Sequence, residues 1–162
     1  MQIESKFVYL NMETETFSTH SEEETVELGK RFAERLRSGD VVLFYGELGA
    51  GKTEFIKGIC RYFAVEEIVT SPTFTLMNQY AGHGSDNNIA IYHVDLYRIK
   101  TKQELDEIGF EDCLFAHDAI KLVEWAENAN GIVKFSNYTV KIRADFDDEN
   151  ERLIEINSHG AM

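Results

Sequence analysis

The 162-residue sequence predicts an α/β fold in which helices flank both faces of a mixed central sheet. A continuous apolar run at 41–45 indicates a strand that is covered on both faces, as in a parallel sheet. Segments with helical spacing lie before and after this run, and two alternating segments near the C-terminus indicate an antiparallel hairpin. Because no linker or internal repeat interrupts the chain, we expect a single domain over residues 1–162.

The first elements come from local signals near the N-terminus. Residues 7–10 (FVYL) are expected to form a short strand or an edge segment. Ser21 followed three residues later by Glu24 fits a helix-capping box. Apolar residues then recur at helical spacing, which predicts a helix over about 22–37 that is stopped by the Ser-Gly pair at 38–39.

The remaining elements are predicted from apolar runs, alternation and turn residues. In order, they are a strand at 41–45, a helix at 53–63, strands at 74–80 and 89–96 joined by a polar loop at 82–88, helical segments within 101–115, a buried strand at 119–125, and strands at 138–144 and 152–157. The acidic segment 145–150 is expected to be the turn of the C-terminal antiparallel hairpin.

The charge of the chain excludes some classes of function. Acidic residues outnumber basic ones by 29 to 16, giving a formal charge of −13 and a pI near 4.7. Such a surface repels nucleic-acid phosphates and anionic lipids, so a free-standing nucleic-acid-binding domain and a membrane-bound protein are both disfavoured. The sequence has no transmembrane run or signal-peptide pattern, and Cys60 and Cys113 form no metal-ligand cluster. We therefore expect a cytoplasmic protein with two reduced thiols.

The most specific motif follows the apolar run at 41–45. Residues 46–53 (GELGAGKT) match the P-loop pattern G-x-x-x-x-G-K-[ST]. Its glycines allow backbone N–H groups to face phosphate oxygens, and the helix that follows adds its positive N-terminal end. Lys52 is expected to reach the β- and γ-phosphates, and the Thr53 hydroxyl is expected to bind Mg²⁺. The motif predicts a nucleoside triphosphate site within a P-loop NTPase-like fold.

Two acids are candidates to complete the magnesium site. Asp95 and Glu124 each end an apolar run, where a strand could deliver a carboxylate to the phosphates. Thr73, in a hydroxyl-rich segment around the single proline, could contact phosphate or a Mg²⁺-bound water, although the segment alone is more typical of a simple turn. Trp125 could pack near the nucleotide or in the core, and we expect His93 to be structural rather than a base.

Three classes of nucleotide-dependent function are compatible with these residues. ATP is favoured over GTP because the guanine-reading pattern N-K-x-D is absent, and the D-x-x-G match at 106–109 lies in a predicted helix. A small-molecule kinase is the main alternative to an ATPase, but the arginines that could line its pocket are scattered along the sequence. In the third class, slow ATP turnover drives the conformational cycle of a partner.

These motifs, and their order along the chain, resemble those of the TsaE (YjeE) family of bacterial P-loop ATPases. The matching blocks are YGELGAGKT at 45–53, SPTFTL at 71–76, YHVDLYR at 92–98 and LVEW at 122–125. The resemblance implies a role in forming N6-threonylcarbamoyladenosine in tRNA. It also implies ATP hydrolysis in association with the TsaB and TsaD proteins, with tRNA contacted only indirectly.

The resemblance also implies roles for individual residues. Lys52, Asp95 and Glu124 are the expected catalytic set, and Thr53 and Glu124 are the expected Mg²⁺ ligands. Whether Asp95 acts as a general base or on the metal's hydration shell stays open. The segment 20–22 is implied to lie near the adenine. Residues expected to bind the nucleotide are Glu47, Leu48, Gly49, Ala50, Gly51, Lys52, Thr53, Glu54, Thr73, Trp125 and Arg152.

Overall fold

The computed structural model describes residues 12–85, 87–129 and 131–160. Its strands are β1 (Met12–Thr19), β2 (Val41–Tyr45), β3 (Met77–His83), β4 (Asn88–Asp95), β5 (Ala119–Glu124), β6 (Tyr138–Ala144) and β7 (Arg152–His159). Its α-helices are α1 (Glu22–Ala33), α2 (Lys52–Tyr62), α3 (Lys102–Glu107) and α4 (Phe110–Leu114), and a 3₁₀ turn spans Ala126–Ala129. Among these described residues the strands form one mixed sheet of seven.

The strand order places the P-loop strand at the centre of the sheet. The order is β1-β7-β6-β2-β5-β4-β3, so β2 is the fourth of seven strands. Strands β4, β5, β2 and β6 run parallel, whereas β3 pairs antiparallel with β4, and β7 pairs antiparallel with both β6 and β1. The carboxyl ends of β2, β4 and β5 therefore meet at one edge of the sheet, where open α/β sheets bind ligands. The predicted C-terminal hairpin is confirmed as β6–β7.

Side chains of the central strands alternate between two apolar layers. Val42 and Phe44 of β2 face the layer that contains Phe32 of α1 and Phe55 of α2. The layer on the opposite face holds Val41 and Leu43 of β2, Val94, Val123, Leu105 of α3 and Phe110 of α4. Helices thus cover both faces of the sheet, which confirms the predicted α/β class.

Helices α1 and α2 cross at two glycines. A Cβ atom on Gly58 would lie 1.9 Å from the carbonyl oxygen of Val26, and one on Gly29 would lie 2.1 Å from that of Phe55. The two backbones are therefore in direct contact, with no room for a side chain at either position. Helix α2 begins in the P-loop motif at 46–53, which we call the phosphate loop, so this crossing determines where the loop lies against the sheet.

We expect Gly58→Ala to reduce the free energy of unfolding by about 2 kcal/mol, because the overpacked methyl group forces the helices apart. Alanine should gain about 1 kcal/mol in helix propensity, but the clash with backbone atoms outweighs this gain. Urea denaturation measures the change. Lys57→Ala, at the preceding position of α2, is the matched control and should stay within about 0.5 kcal/mol of the wild type. A Gly58→Ala protein as stable as the wild type would contradict the close-packed crossing.

Several element boundaries differ from the predictions, including the ends of β3 and β7, which extend to His83 and His159 rather than 80 and 157. Helix α1 ends at Ala33 rather than near residue 37, because the amides of the next three residues bond i→i−3 and tighten the last turn. Strand β3 begins at Met77 rather than 74, since the amide of Leu76 bonds to the carbonyl of Pro72 and closes a turn. The helical segment at 101–115 divides into α3 and α4 at Gly109, whose φ is +68°.

The N-terminal predictions have mixed outcomes. The expected strand at 7–10 lies outside the described residues, and the sequence reasoning missed β1, an edge strand whose Phe17 packs on the core. Ser21 caps α1 by accepting the amide of Glu24. The Glu24 carboxylate returns to the amide of His20, one residue earlier than the predicted capping box requires.

Both cysteines are free and buried. Burial raises the pKa of Cys60 to about 12 and that of Cys113 to about 11, so neither thiol is activated as a nucleophile. None of the helices in the described part of the chain is long and apolar enough to cross a bilayer.

Candidate functional site

The loop between β2 and α2 forms a cradle of backbone amides. Gly49 and Gly51 have φ values of +78° and +111°, in the left-handed region that glycine adopts without strain. Gly51 is also the N-cap of α2, and no side chain of the described residues caps this helix. The first N–H groups of α2 therefore keep their hydrogen-bonding capacity for an anion, which the helix dipole also favours.

Lys52 lies buried within this loop. Its Nζ donates to the carbonyl oxygens of Gly46 at 2.5 Å and Glu47 at 3.0 Å. The same ammonium group lies 4.5 Å from the ring centroid of Trp125, within cation–π distance. Burial lowers the pKa of Lys52, while the negative charges of Glu124 and Asp95 oppose that shift. Phosphate oxygens could replace the two carbonyls as acceptors without a long movement of the side chain.

Asp95 and Glu124 lie side by side at the carboxyl ends of β4 and β5. They are direct partners in the parallel ladder, and both are almost fully buried. The Ser71 and Thr73 hydroxyls each donate to Oδ2 of Asp95 at 2.9 Å, and the amide of Tyr97 donates to Oδ1 at 2.9 Å. The two carboxylates therefore form one negatively charged centre next to the phosphate loop.

Glu124 has a different partner from Asp95. Its Oε2 lies 3.1 Å from Nε2 of His93, a side chain with no solvent exposure. Within the described residues, neither carboxylate forms an ion pair with a lysine or arginine. The hydrogen-bond donors around Asp95 are neutral, and both carboxylates interact electrostatically with the Lys52 ammonium without forming an ion pair with it.

The backbone is strained at the residue that follows Glu124. Trp125 has a φ of +56°, which is uncommon for a bulky side chain and costs free energy. Its ring packs on Tyr97, with 4.9 Å between the centroids, and reaches over Lys52. This conformation carries the indole from the end of β5 to the wall of the site.

A cavity of about 190 Å³ opens between these groups. It is lined by Leu48, Gly49, Ala50, Gly51, Lys52, Thr53, Glu54, Ser71, Thr73, Asp95, Glu124 and Trp125. Its size suits the phosphates rather than a whole nucleotide, because pockets for drug-sized ligands are larger. The structure thus brings together nearly all of the residues predicted to bind nucleotide or metal.

Two predicted nucleotide contacts lie outside this lining. The carbonyl of Glu47 faces Lys52, but its side chain is not part of the cavity wall. Arg152 is buried against the phosphate loop and donates from Nε to the carbonyl of Ala50 at 2.7 Å. A Cβ on Gly51 would lie 2.6 Å from the same Nε atom, so a side chain at position 51 would displace the guanidinium group. In this structure Arg152 therefore contacts the backbone of the phosphate loop rather than the cavity.

The oxygen atoms at this site suit Mg²⁺, which needs few protein ligands, better than a metal ion whose ligands all come from the protein. The described residues contain no group of three or more His, Cys, Asp or Glu side chains that could hold a metal ion. Magnesium typically takes one or two protein oxygens and completes its shell with phosphate and water. The Thr53 hydroxyl and the Glu124 carboxylate, on the wall of one cavity, meet this requirement.

Sequence reasoning missed two contacts at the site. Ser71 joins Thr73 on Asp95, and His93, expected to be structural, contacts Glu124. A signal for His93 was available, since it lies two residues before Asp95 and therefore on the same face of β4. Only the pairing of β4 with β5 shows that this face places His93 diagonally next to Glu124.

Comparisons with known proteins agree on one family. The sequence model described as "Threonylcarbamoyl adenosine biosynthesis protein TsaE" matches residues 19–154. A tRNA threonylcarbamoyladenosine biosynthesis protein TsaE from Rickettsia conorii is 39% identical over 138 residues, covering 85% of this chain and 74% of that protein. Its counterpart from Bacillus subtilis is 35% identical over 133 residues, covering 82% and 80%. The crystal structure of Bacillus subtilis YdiB superposes with a TM-score of 0.71 at 31% identity, covering 92% and 88% of the two chains.

Proposed function

The chain belongs to the TsaE family of threonylcarbamoyl adenosine biosynthesis proteins, and from this premise we propose that it is a Mg²⁺-dependent ATPase supporting that tRNA modification. One observation carries the proposal: Asp95 and Glu124 are paired at the strand ends beside Lys52 and the uncapped start of α2. A triphosphate needs amides and a lysine, and its metal needs a carboxylate and a hydroxyl. This cavity supplies all four.

The proposed reaction is the in-line attack of water on the γ-phosphorus of ATP, in which the bond to the β–γ bridging oxygen breaks and ADP and inorganic phosphate are released. The amides at the start of α2 and the Lys52 ammonium stabilise the charge that develops on the phosphate oxygens. Thr53 and Glu124 would hold Mg²⁺, which when bound supplies further positive charge at the β- and γ-phosphates. Asp95 would orient the attacking water, directly or through the metal's hydration shell. Thr73, already bonded to Asp95, would bring the 71–76 segment to the phosphates.

The proposed biological setting includes protein partners. We propose that the chain acts in the cytoplasm with TsaB and TsaD, and that tRNA is contacted mainly by those partners. The formal charge of −13 supports indirect contact, because an acidic surface repels the tRNA backbone. ATP turnover by the isolated chain is expected to be slow and to depend on these partners.

Two measurements test this function. Reconstituted tRNA modification, run over many turnovers with and without the chain, should stop early in its absence. Hydrolysis in ¹⁸O-labelled water should place the label in the released inorganic phosphate, in a reaction accelerated by TsaB and TsaD. Undiminished modification without the chain would overturn the proposed role. Transfer of the γ-phosphate to a small acceptor, without labelled phosphate, would favour the kinase alternative.

A further inference from the structure

His93 is a buried polar residue that the proposed mechanism leaves without a role. Its side chain has no solvent exposure, and its Nε2 lies 3.1 Å from Oε2 of Glu124. Its other nitrogen, Nδ1, has no hydrogen-bond partner among the described residues. Burying an imidazole that has a hydrogen-bond partner at only one of its two nitrogens costs free energy. The position of His93 next to Glu124 therefore needs an explanation.

The sheet holds the imidazole in a fixed position relative to the site. His93 and Asp95 share one face of β4, and Asp95 is the ladder partner of Glu124 on β5. The ring of the buried Tyr80, on β3, lies 6.4 Å from the imidazole by ring centroids. Because Tyr80, His93 and Glu124 lie on strands that are paired with one another, the imidazole has little room to move and can hold the Glu124 carboxylate in one orientation.

The hydrogen-bond pattern favours one tautomer. A proton on Nε2 lets the ring donate to the Glu124 carboxylate and leaves a lone pair at Nδ1. The opposite tautomer would bury an unpaired N–H and place a lone pair against a carboxylate oxygen, and both features are costly. The favoured arrangement occupies Oε2 of Glu124 and leaves Oε1 for another partner.

We propose that His93 is a positioning residue, whose donation to Oε2 orients Glu124 so that its other oxygen can bind Mg²⁺. This inference rests on the proposed function, because it assigns His93 to the metal site of that function. Outer partners of metal-ligating carboxylates commonly orient them, and removing one typically lowers metal affinity by about 10–100-fold. A purely structural histidine would instead affect folding, with no selective effect on the metal.

The test compares His93→Leu and His93→Gln with the wild type. Calorimetry measures ADP binding in EDTA and then over a series of Mg²⁺ concentrations, and electron paramagnetic resonance measures Mn²⁺ binding to the ADP complex. The Gln side chain can place an amide donor near the position of Nε2, whereas Leu fills the space without a donor. Tyr80→Phe is the matched control, because it removes a hydroxyl from the buried neighbour of His93 while the aromatic ring of that neighbour and the His93 imidazole are both kept.

We expect His93→Leu to need about 10-fold more Mg²⁺ or Mn²⁺ while its ADP affinity in EDTA stays unchanged. His93→Gln and Tyr80→Phe should keep the metal dependence of the wild type. If His93→Leu does not fold, His93→Asn, whose amide is too short to reach Oε2, should show the same shift. Wild-type metal dependence in the folded Leu or Asn variant would overturn the proposal, as would equal losses with and without metal. A wild-type chain that binds no nucleotide would overturn the proposed function and this inference with it.

Discussion

Replacing Lys52 with alanine is expected to weaken ATP binding by about 100-fold. A hydrogen bond between charged groups contributes about 1.5–3 kcal/mol, and a loss near the upper end of that range corresponds to two orders of magnitude in Kd. The ammonium group is already buried inside the phosphate loop, where it donates to two carbonyl oxygens and lies over the Trp125 ring. When ATP binds, phosphate oxygens would replace those carbonyls as acceptors of the Lys52 ammonium. Alanine has no ammonium group and cannot make these bonds. Titration calorimetry with a non-hydrolysable ATP analogue measures the effect.

The control for this substitution lies one and a half turns along the same helix. Lys57 is half exposed and pairs with Glu54, so Lys57→Ala removes the same charge from α2 and should bind ATP like the wild type. Lys52→Met keeps the packing against Trp125 but has no donor, so it should bind as weakly as Lys52→Ala. Wild-type affinity in either Lys52 variant would be incompatible with a phosphate-binding role.

Local patterns in the sequence predict the centre of the fold well. The apolar run of β2, the glycine-bearing loop and α2 are neighbours along the chain, so their physical signals are contained in about 20 residues. The buried strand β5 and the β6–β7 hairpin are likewise visible as an apolar run and as alternation. These are the elements for which local propensity and tertiary packing favour the same structure.

Contacts between distant strands could not be predicted in this way. Strand β1 has mainly polar and acidic side chains, and it is a strand because β7 offers it a free edge. The contact between His93 and Glu124 depends on the register of β4 with β5, which no single segment encodes. Arg152 is 102 residues from Ala50 in sequence, and its place against the loop follows from where β7 joins the sheet.

The buried basic side chains show how an acidic protein can keep its site negative. Lys52, Lys121 and Arg152 all donate to backbone carbonyls rather than to carboxylates. Lys121 bonds to the carbonyls of Gly39 and Ala116, and burial lowers its pKa. Because these cations bond to backbone carbonyls, none of them forms an ion pair with Asp95 or Glu124, and both carboxylates stay available to a metal ion. The overall charge of −13 thus has a local counterpart at the site.

Asp95→Asn is expected to lower the rate of ATP hydrolysis by about 100-fold or more while ATP affinity stays near that of the wild type. Asparagine has the same shape and can still accept the amide of Tyr97, so the segment after β4 should keep its path. It carries no negative charge and cannot accept a proton from water, and those are the properties the reaction would need. Single-turnover hydrolysis at saturating ATP measures the rate, and Asp106→Asn, on the exposed side of α3, is the control.

The Mg²⁺ dependence of the same variant separates the two roles left open for Asp95. If the carboxylate acts directly on water, Asp95→Asn should reach its low rate at the Mg²⁺ concentration that saturates the wild type. If it acts on the hydration shell of the metal, the variant should need more Mg²⁺, and excess Mg²⁺ should restore part of the rate. Hydrolysis at the wild-type rate under all conditions would remove Asp95 from the mechanism. The bonds from Ser71 and Thr73 to its Oδ2 would then serve only to hold the 71–76 segment.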